Sequence, residues 1–162
     1  MKRIKVYLDT NMIHDFFVNQ AIYIKKREEI KIPKKFQFII ASTEKVGFVT
    51  SFLTKAEIVR ELVSAHSLEY EEISIVWKEF LEATECRYVS NFEFNENIID
   101  IVAKIKMRLR TLLNFFHLYI AIRENAYFVS GDKDIVRKVN ESKIYGKAIT
   151  YEQLRKFVEG DI

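Results

Sequence analysis

The sequence predicts a single α/β domain in which a parallel sheet of about five strands is covered by helices on both faces. Short runs rich in β-branched and aromatic residues alternate with segments of helical periodicity, which is typical of β–α–β units. The first of these runs, residues 4–8, is mostly apolar on both faces, as a buried parallel strand requires. The chain has 162 residues and no internal repeat or linker, so residues 1–162 are predicted to form one domain.

The first half of the chain alternates strands and helices. The predicted elements are a strand at 4–8, a helix with the apolar stripe Met12, Ile13, Phe16 and Phe17, a strand at 48–51, and helices at 54–66 and 68–84. Residues 31–35 are typical of a turn, whereas residues 36–40 fit either a strand or part of a helix. The helix at 54–66 begins at Thr54 because Thr54 and Glu57 have the spacing of a capping box.

The second half continues the alternation. The predicted elements are a strand at 87–90, helices at about 95–109 and 112–124, a strand at 126–130, a short helix from about residue 134, a strand at 147–150 and a helix at 151–159. Five strands separated by helices predict a three-layer α/β/α arrangement.

Composition excludes several classes of protein. The only cysteine, Cys86, cannot form an internal disulfide, so a small secreted fold held by disulfides is excluded. No Cys/His cluster suits a structural zinc ion, and charges interrupt every apolar stretch well before about 18 residues, so no membrane span is predicted. The N-terminus lacks the pattern of a signal peptide, and we expect a cytoplasmic protein.

Charge is segregated along the chain, although the net charge is only +3. Residues 19–46 hold seven basic and three acidic residues, whereas residues 54–85 hold three basic and eight acidic residues. Each run fits a solvated helix face, and the basic run also fits contact with a polyanion.

Acidic residues flank the predicted carboxyl ends of three strands. Asp9 directly follows the first strand, Asp132 follows the strand at 126–130, and Glu57 lies in the first turn of the helix after the second strand. The carboxyl ends of parallel strands meet at one edge of a sheet, so we expect these carboxylates to converge there. Clustered carboxylates repel one another, so the pattern predicts a site for Mg²⁺ or Mn²⁺.

Each acid also has a structural explanation. Asp9 suits the N-cap of the first helix, and Glu57 suits the reciprocal position of the Thr54 capping box. Asp132 follows Gly131 in a turn, and Asp134 suits the cap of the next helix. The joint placement of the acids at one edge favours the functional interpretation.

Three segments carry a resemblance to a known family. They are VYLDTN at 6–11, SFLTKAEI at 51–58, and FHLYIAI at 116–122 followed by AYFVSGDKD at 126–134. In this order the chain resembles the PIN-domain family of small metal-dependent ribonucleases. The resemblance covers most of the chain, with residues 19–46 the least matched part, and it implies a Rossmann-like, PIN-like fold for the domain.

The resemblance implies a metal-dependent endoribonuclease that hydrolyses RNA phosphodiester bonds. It makes Asp9 and Asp132 the main ligands of Mg²⁺ or Mn²⁺, with Glu57 binding the metal or its water, or acting as the base. Asp134 matches an auxiliary acid of the family. The resemblance also implies hydrogen-bonding groups that orient these ligands: Thr10, Asn11 and Ser130.

One position departs from the family pattern. Asn114 stands two residues before the pair Phe116–His117, where the family usually has Asp. Its amide oxygen can bind a metal ion but brings no charge, and Asn also suits a helix N-cap. We expect His117 to be a packed helix residue rather than a base. The departure leaves open an alternative function: a catalytically degenerate PIN-like domain that binds RNA or a protein.

RNA binding is predicted for basic residues near these elements. Lys104 and Arg108 are four residues apart, as are Lys106 and Arg110, so each pair can share a helix face. The basic stretch 25–35 is also expected to contact phosphates, and the residues singled out are Lys25, Lys26, Arg27, Lys104, Lys106, Arg108 and Arg110. The resemblance further implies a homodimer and, if the chain is the toxin of a toxin–antitoxin pair, a small antitoxin protein.

Overall fold

Five parallel strands form the centre of the protein in this computed structural model, which describes residues 3–106 and 112–160. The strands are β1 (Ile4–Leu8), β2 (Val46–Ser51), β3 (Arg87–Val89), β4 (Tyr127–Ser130) and β5 (Ala148–Thr150). Their order across the sheet is β3-β2-β1-β4-β5, and every neighbouring pair is parallel. The predicted three-layer α/β/α fold with about five strands is confirmed.

Eight helices in the described residues cover the two faces of this sheet. They are α1 (Thr10–Lys26), α2 (Lys34–Ala41), α3 (Phe52–His66), α4 (Tyr70–Thr84), α5 (Asn97–Lys104), α6 (Leu112–Arg123), α7 (Lys133–Glu141) and α8 (Tyr151–Glu159). Helices α1 to α4 and α8 pack on one face of the sheet, and α5 to α7 pack on the other. None of these helices is long and apolar enough to cross a membrane.

Alternation of side chains along β1 supplies both halves of the core. Val6 and Leu8 face the first helical layer, whereas Tyr7 faces the second. All three side chains are fully buried, because β1 lies between β2 and β4 in the middle of the sheet. The apolar strand expected at the N-terminus is therefore the central strand.

An aromatic cluster settles the ambiguous segment 36–40. The Phe36 ring stacks on Phe16 of α1 with 4.0 Å between ring centroids, and Ile39, three residues later, is also buried. Three-residue spacing of buried side chains is the period of a helix, so these residues form α2 rather than a strand.

The predicted capping box at Thr54 and Glu57 is wrong. Helix α3 begins at Phe52, with Ser51 in the N-cap position, so Thr54 already lies inside the helix. The Thr54 hydroxyl is buried and donates to the main-chain oxygen of Leu8 at 3.4 Å. Glu57 is consequently in the second turn of α3, and its carboxylate is available for tertiary contacts.

The helix predicted at about 95–109 is shorter than expected. Helix α5 ends at Lys104, because Ile105 leaves the helical conformation (φ −100°, ψ 104°) and is buried in the core. The helix face proposed for Lys104 and Arg108 is therefore not supplied by α5. Arg108 and Arg110, also predicted to bind RNA, lie outside the described residues.

The strand order reverses between β1 and β4, and this topological switch point is the strand reversal of the sheet. The chain leaves β1 towards β2, but leaves β4 towards β5 on the other side. Ligands of open α/β sheets bind outside the carboxyl ends of the strands at such a reversal. Leu8 pairs with Val129 at this point, so Asp9 and the turn at Gly131–Asp132 emerge side by side.

Candidate functional site

Asp9 lies at the strand reversal and is almost completely buried, with 2% of its surface exposed. It holds the N-cap position of α1, yet its side chain makes no capping hydrogen bond. Its Oδ1 atom has no hydrogen-bond partner among the described residues. Burial raises the pKa of Asp9 to about 6, with Glu57 adding to the rise and His117 opposing it. The main-chain N–H groups of Met12 and Asn11 also lower the pKa of Asp9, but one oxygen of this buried carboxylate stays unsatisfied, which is costly.

Glu57 reaches the same region from α3. Its Oε1 atom accepts hydrogen bonds from the Thr10 hydroxyl at 2.7 Å and from Nε2 of His117 at 2.5 Å. Burial alone would raise the pKa of Glu57, but these hydrogen bonds outweigh it and hold the pKa below its usual range. Glu57 is therefore an ionised, oriented carboxylate whose side chain remains about one third exposed.

His117 continues the hydrogen-bonded chain into the protein. Its Nδ1 atom lies 2.7 Å from the Tyr7 hydroxyl, which in turn lies 2.7 Å from Oγ of Ser51. The ionised Glu57 can only accept, so Nε2 must carry a proton. In neutral His117 the Nδ1 atom then accepts from Tyr7, and Tyr7 accepts from Ser51; in the protonated ring Nδ1 donates to Tyr7, and Tyr7 donates to Ser51. One side chain from each of β1, β2 and α6 thus fixes the Glu57 carboxylate.

Three members of this hydrogen-bonded chain were not predicted as site residues: Tyr7, Ser51 and His117. His117 is packed in α6, as expected, but it also orients Glu57. Tyr7 is flanked by purely apolar Val6 and Leu8, and a buried tyrosine hydroxyl needs a partner. That requirement is the signal in the sequence, although it does not identify the partner, which lies 110 residues away.

Asp132 caps α7. Its Oδ1 atom accepts from the main-chain N–H groups of Asp134 at 2.9 Å and Ile135 at 3.2 Å. Its own N–H donates to the Ser130 hydroxyl at 3.2 Å, which orients the turn. The structural interpretation of Asp134 as the cap is therefore wrong, because Asp132 holds that position.

Asp134 is directed along the surface of α7. It is exposed and forms ion pairs with Arg137 at 2.5 Å and Lys138 at 2.7 Å. The hydrogen bonds from these two cations hold the pKa of Asp134 below its usual range. An auxiliary metal-binding role for Asp134 would require it to leave both partners.

An open cleft of about 420 Å³ lies beside Asp132. Its lining comes from the first turns of α1, the start of α2 and the turn after β4: Asn11, His14, Asp15, Lys35, Gly131 and Asp132. Asn11 is exposed there, whereas Thr10 on the same turn points to Glu57. The two predicted hydrogen-bonding residues of α1 therefore have different surroundings.

Asn114 is half-buried and lies inside α6, so its interpretation as a helix N-cap is wrong. It precedes His117 by one helical turn, which places both residues on one face of α6. Asn114 therefore shares the face of α6 that carries His117, the partner of Glu57.

The donor set of the site fits a hard divalent cation incompletely. Within the described ranges, no three His, Cys, Asp or Glu side chains are grouped closely enough to hold a metal ion by themselves. The unpartnered Oδ1 of Asp9 is nevertheless a buried anionic oxygen beside a second carboxylate, Glu57. Oxygen atoms of this kind are the ligands that Mg²⁺ and Mn²⁺ prefer.

The basic residues at the end of α1 lie far from these acids. Lys25 forms an ion pair with Glu72 of α4 at 3.1 Å, and Arg27 lies over the Tyr23 ring at 5.9 Å. Lys25 follows Thr10 by 15 residues of helix, about 22 Å at 1.5 Å per residue. Contact between these residues and RNA would need a strand that extends well beyond the site.

Lys104 and Lys106 lie in a different place, on the second helical layer. They line a groove with Arg137 and Lys138 of α7, together with Glu141 and Ser142. Four cations in one groove are consistent with contact to phosphates, although Arg137 is also paired with Glu141.

Charge reversal tests the segment at the end of α1. Changing Lys25, Lys26 and Arg27 to Glu is expected to weaken binding of a long RNA and to flatten its salt dependence, because phosphate contacts would be lost. Binding of a dinucleotide should not change, since it cannot span about 22 Å. Filter binding of the long and the short RNA over a salt series measures both affinities. Equal salt slopes of the wild type and the variant for the long RNA would show that this segment is only a solvated surface.

Comparisons of the chain with protein-family models, with curated proteins and with solved structures found no match. The resemblance to the PIN-domain family consequently stays a prediction from three short segments.

Proposed function

We propose that the protein is a metal-dependent endoribonuclease that hydrolyses RNA phosphodiester bonds at the carboxyl ends of β1 and β4. The observation that carries the proposal is Asp9, a buried carboxylate with an unpartnered oxygen at the strand reversal, next to the oriented carboxylate of Glu57. A protein keeps such an arrangement at a cost in stability, and cation binding offsets that cost.

Each acidic residue of the site would have its own role. Asp9 and Asp132 would hold Mg²⁺ or Mn²⁺, with Glu57 and the amide oxygen of Asn114 as further oxygen ligands. When bound, the cation would neutralise charge on the scissile phosphate and activate water. Thr10 and His117 hold one oxygen of Glu57, so its other oxygen keeps a fixed direction.

Cleavage of a fluorogenic RNA tests this proposal. We expect hydrolysis with Mg²⁺ or Mn²⁺ and none with EDTA, and Asp9→Asn protein purified in parallel controls for contaminating ribonuclease. Cleavage that persists in EDTA, or no cleavage of varied RNA sequences with either metal, would count against a metal-dependent ribonuclease.

A second candidate function is a degenerate domain that binds RNA or a protein without cleaving. Three observations favour it: Oε1 of Glu57 is already bonded twice, Asp132 caps a helix, and Asn114 is uncharged. This alternative expects RNA or protein binding that is unaffected by Mg²⁺, together with no cleavage.

Asn114→Asp tests the role of the residue that departs from the family pattern. A full charge at this position should tighten Mg²⁺ binding about tenfold, equivalent to about 1.4 kcal/mol, because hard cations gain most from carboxylate ligands. Calorimetric titration measures the affinity. Asn125→Asp is the matched control, because Asn125 precedes β4 at the opposite end of the sheet and bonds Lys147. Equal affinities for Asn114→Asp and the wild type would reject the ligand role.

The proposal includes partners that follow from the resemblance. If the protein is the toxin of a toxin–antitoxin pair, we expect a homodimer neutralised by a small antitoxin protein in the cytoplasm. Light scattering measures the dimer, and co-purification with the product of a short neighbouring reading frame tests the antitoxin.

A further inference from the structure

We propose that Lys35 binds a phosphate of the RNA strand in the cleft beside Asp132, and so positions the strand next to the acids. This inference rests on the proposed function, since it names a substrate contact of the same site. Within the basic stretch 25–35, it assigns the phosphate contact nearest the acids to the start of α2 rather than to the end of α1.

Packing of α2 against α1 places Lys35 at the cleft. The neighbouring Phe36 is buried against Phe16 of α1, with 4.0 Å between ring centroids, so the first turn of α2 is fixed against α1. Lys35 is half-buried, and its Nζ atom lies 3.3 Å from the main-chain oxygen of Asn11. The ammonium group is therefore held at the N-terminal end of α1, two residues beyond Asp9.

The contacts of Lys35 leave room for a phosphate. An ammonium group has three N–H donors, and one of them is used by the Asn11 oxygen. The remaining donors face a cleft that is open to solvent. Lysine binds phosphate as a compact point charge, so no fixed bidentate geometry is needed.

Charge in the cleft also favours a phosphate partner once the acids are neutralised. Asp15 and Asp132 line the same cleft and would repel a phosphate by themselves. Lys35 supplies the opposite charge on the side of the cleft formed by α2. A phosphate between Lys35 and the acids would place the RNA backbone across the strand reversal.

The other lysine of this helix turn offers a matched control. Lys34 precedes Lys35, has the same charge and lies in the same turn of α2, but it is exposed and does not line the cleft. Lys34→Ala and Lys35→Ala therefore remove equal charge and equal helix-surface bulk. Only Lys35→Ala removes a group from the cleft.

Binding of a short, non-hydrolysable single-stranded RNA analogue in the presence of Mg²⁺ tests the inference without relying on cleavage, because the cation can then neutralise the acids of the cleft. Fluorescence anisotropy over a salt series should show Lys35→Ala binding about tenfold more weakly at low salt, the effect of one charge-assisted hydrogen bond. Its slope of log affinity against log salt should fall by about 0.7. Lys34→Ala should match the wild type in both quantities.

The outcomes separate the two proposals. If the wild type binds or cleaves short RNA and Lys35→Ala matches Lys34→Ala, the inference about Lys35 is overturned while the proposed function stands. If Lys35→Ala alone weakens binding, the inference is supported whether or not cleavage is seen. If the wild type neither binds nor cleaves RNA, the proposed function fails and the inference fails with it.

Discussion

Asp9→Asn is expected to reduce RNA cleavage by about 100-fold or more, equivalent to about 2.7 kcal/mol of transition-state stabilisation, while the fold is retained. Asn has nearly the same shape as Asp, so it fills the same buried space after Leu8. It lacks the negative charge that strengthens the binding of a divalent cation. Initial rates with a fluorogenic RNA measure the loss, and circular dichroism measures the fold.

The same substitution is expected to stabilise the metal-free protein. Burial raises the pKa of Asp9 from 3.8 to about 6, so keeping the folded carboxylate ionised at pH 7 costs about 3 kcal/mol. The free energy of unfolding of the wild type should therefore fall as the pH rises from about 4 to 6. Asn does not titrate, so its advantage should be full above pH 6 and absent near pH 4.

Chemical denaturation in EDTA at pH 4 and pH 7 measures this difference. Glu57 titrates with the opposite sign, because its pKa is lowered and its contribution is lost on acidification. Comparing the two proteins at each pH largely cancels that contribution, since both contain Glu57. Undiminished cleavage by a folded Asp9→Asn protein, or an equal stability difference at both pH values, would remove Asp9 from the proposed role.

His117→Ala is expected to lower the free energy of unfolding by about 3 kcal/mol. The substitution opens a cavity at a side chain with 2% exposure, and it leaves the Tyr7 hydroxyl and Glu57 without their shared partner. Urea denaturation measures the loss. His66→Ala, at the last residue of α3, is the matched control and should change stability by about 0.5 kcal/mol or less.

A double-mutant cycle separates the hydrogen bond from general packing. Tyr7→Phe should cost about 1–2 kcal/mol, because it removes a buried hydroxyl and keeps the ring. In the double variant the two losses should fall short of additivity by about 1 kcal/mol, since the shared hydrogen bond is lost once. Additive losses would show that Tyr7 and His117 do not stabilise each other.

The sheet could be predicted from the sequence because its strands are short, apolar and separated by helical periods. The run at 4–8 has the same bounds in the structure, and its apolar faces match its central position. Residues 36–40 could not be assigned, because the partner that makes them helical is the Phe16 ring on α1. Packing between distant segments is absent from a local pattern.

Local sequence patterns likewise predicted only part of the candidate site. The positions of Asp9 and Asp132 follow from the ends of two strands, which local pattern reveals. The partners of Glu57 could not be predicted in this way. Local spacing assigned Glu57 to a capping box, whereas in the structure it accepts hydrogen bonds from Thr10 and His117, which are distant in sequence. The end of α5 was missed because a single buried side chain, Ile105, stops the helix.

The bond between Tyr7 and His117 also sets the order in which the site forms during synthesis. At about 5–20 residues per second, the ribosome adds His117 roughly 5–20 s after Tyr7. The neighbour of the central strand β1, strand β4, is synthesised still later, because its first residue is Tyr127. Glu57 therefore gains its fixed orientation only after α6 has left the ribosome. A nascent chain that stops before α6 would leave the ribosome with the site incomplete.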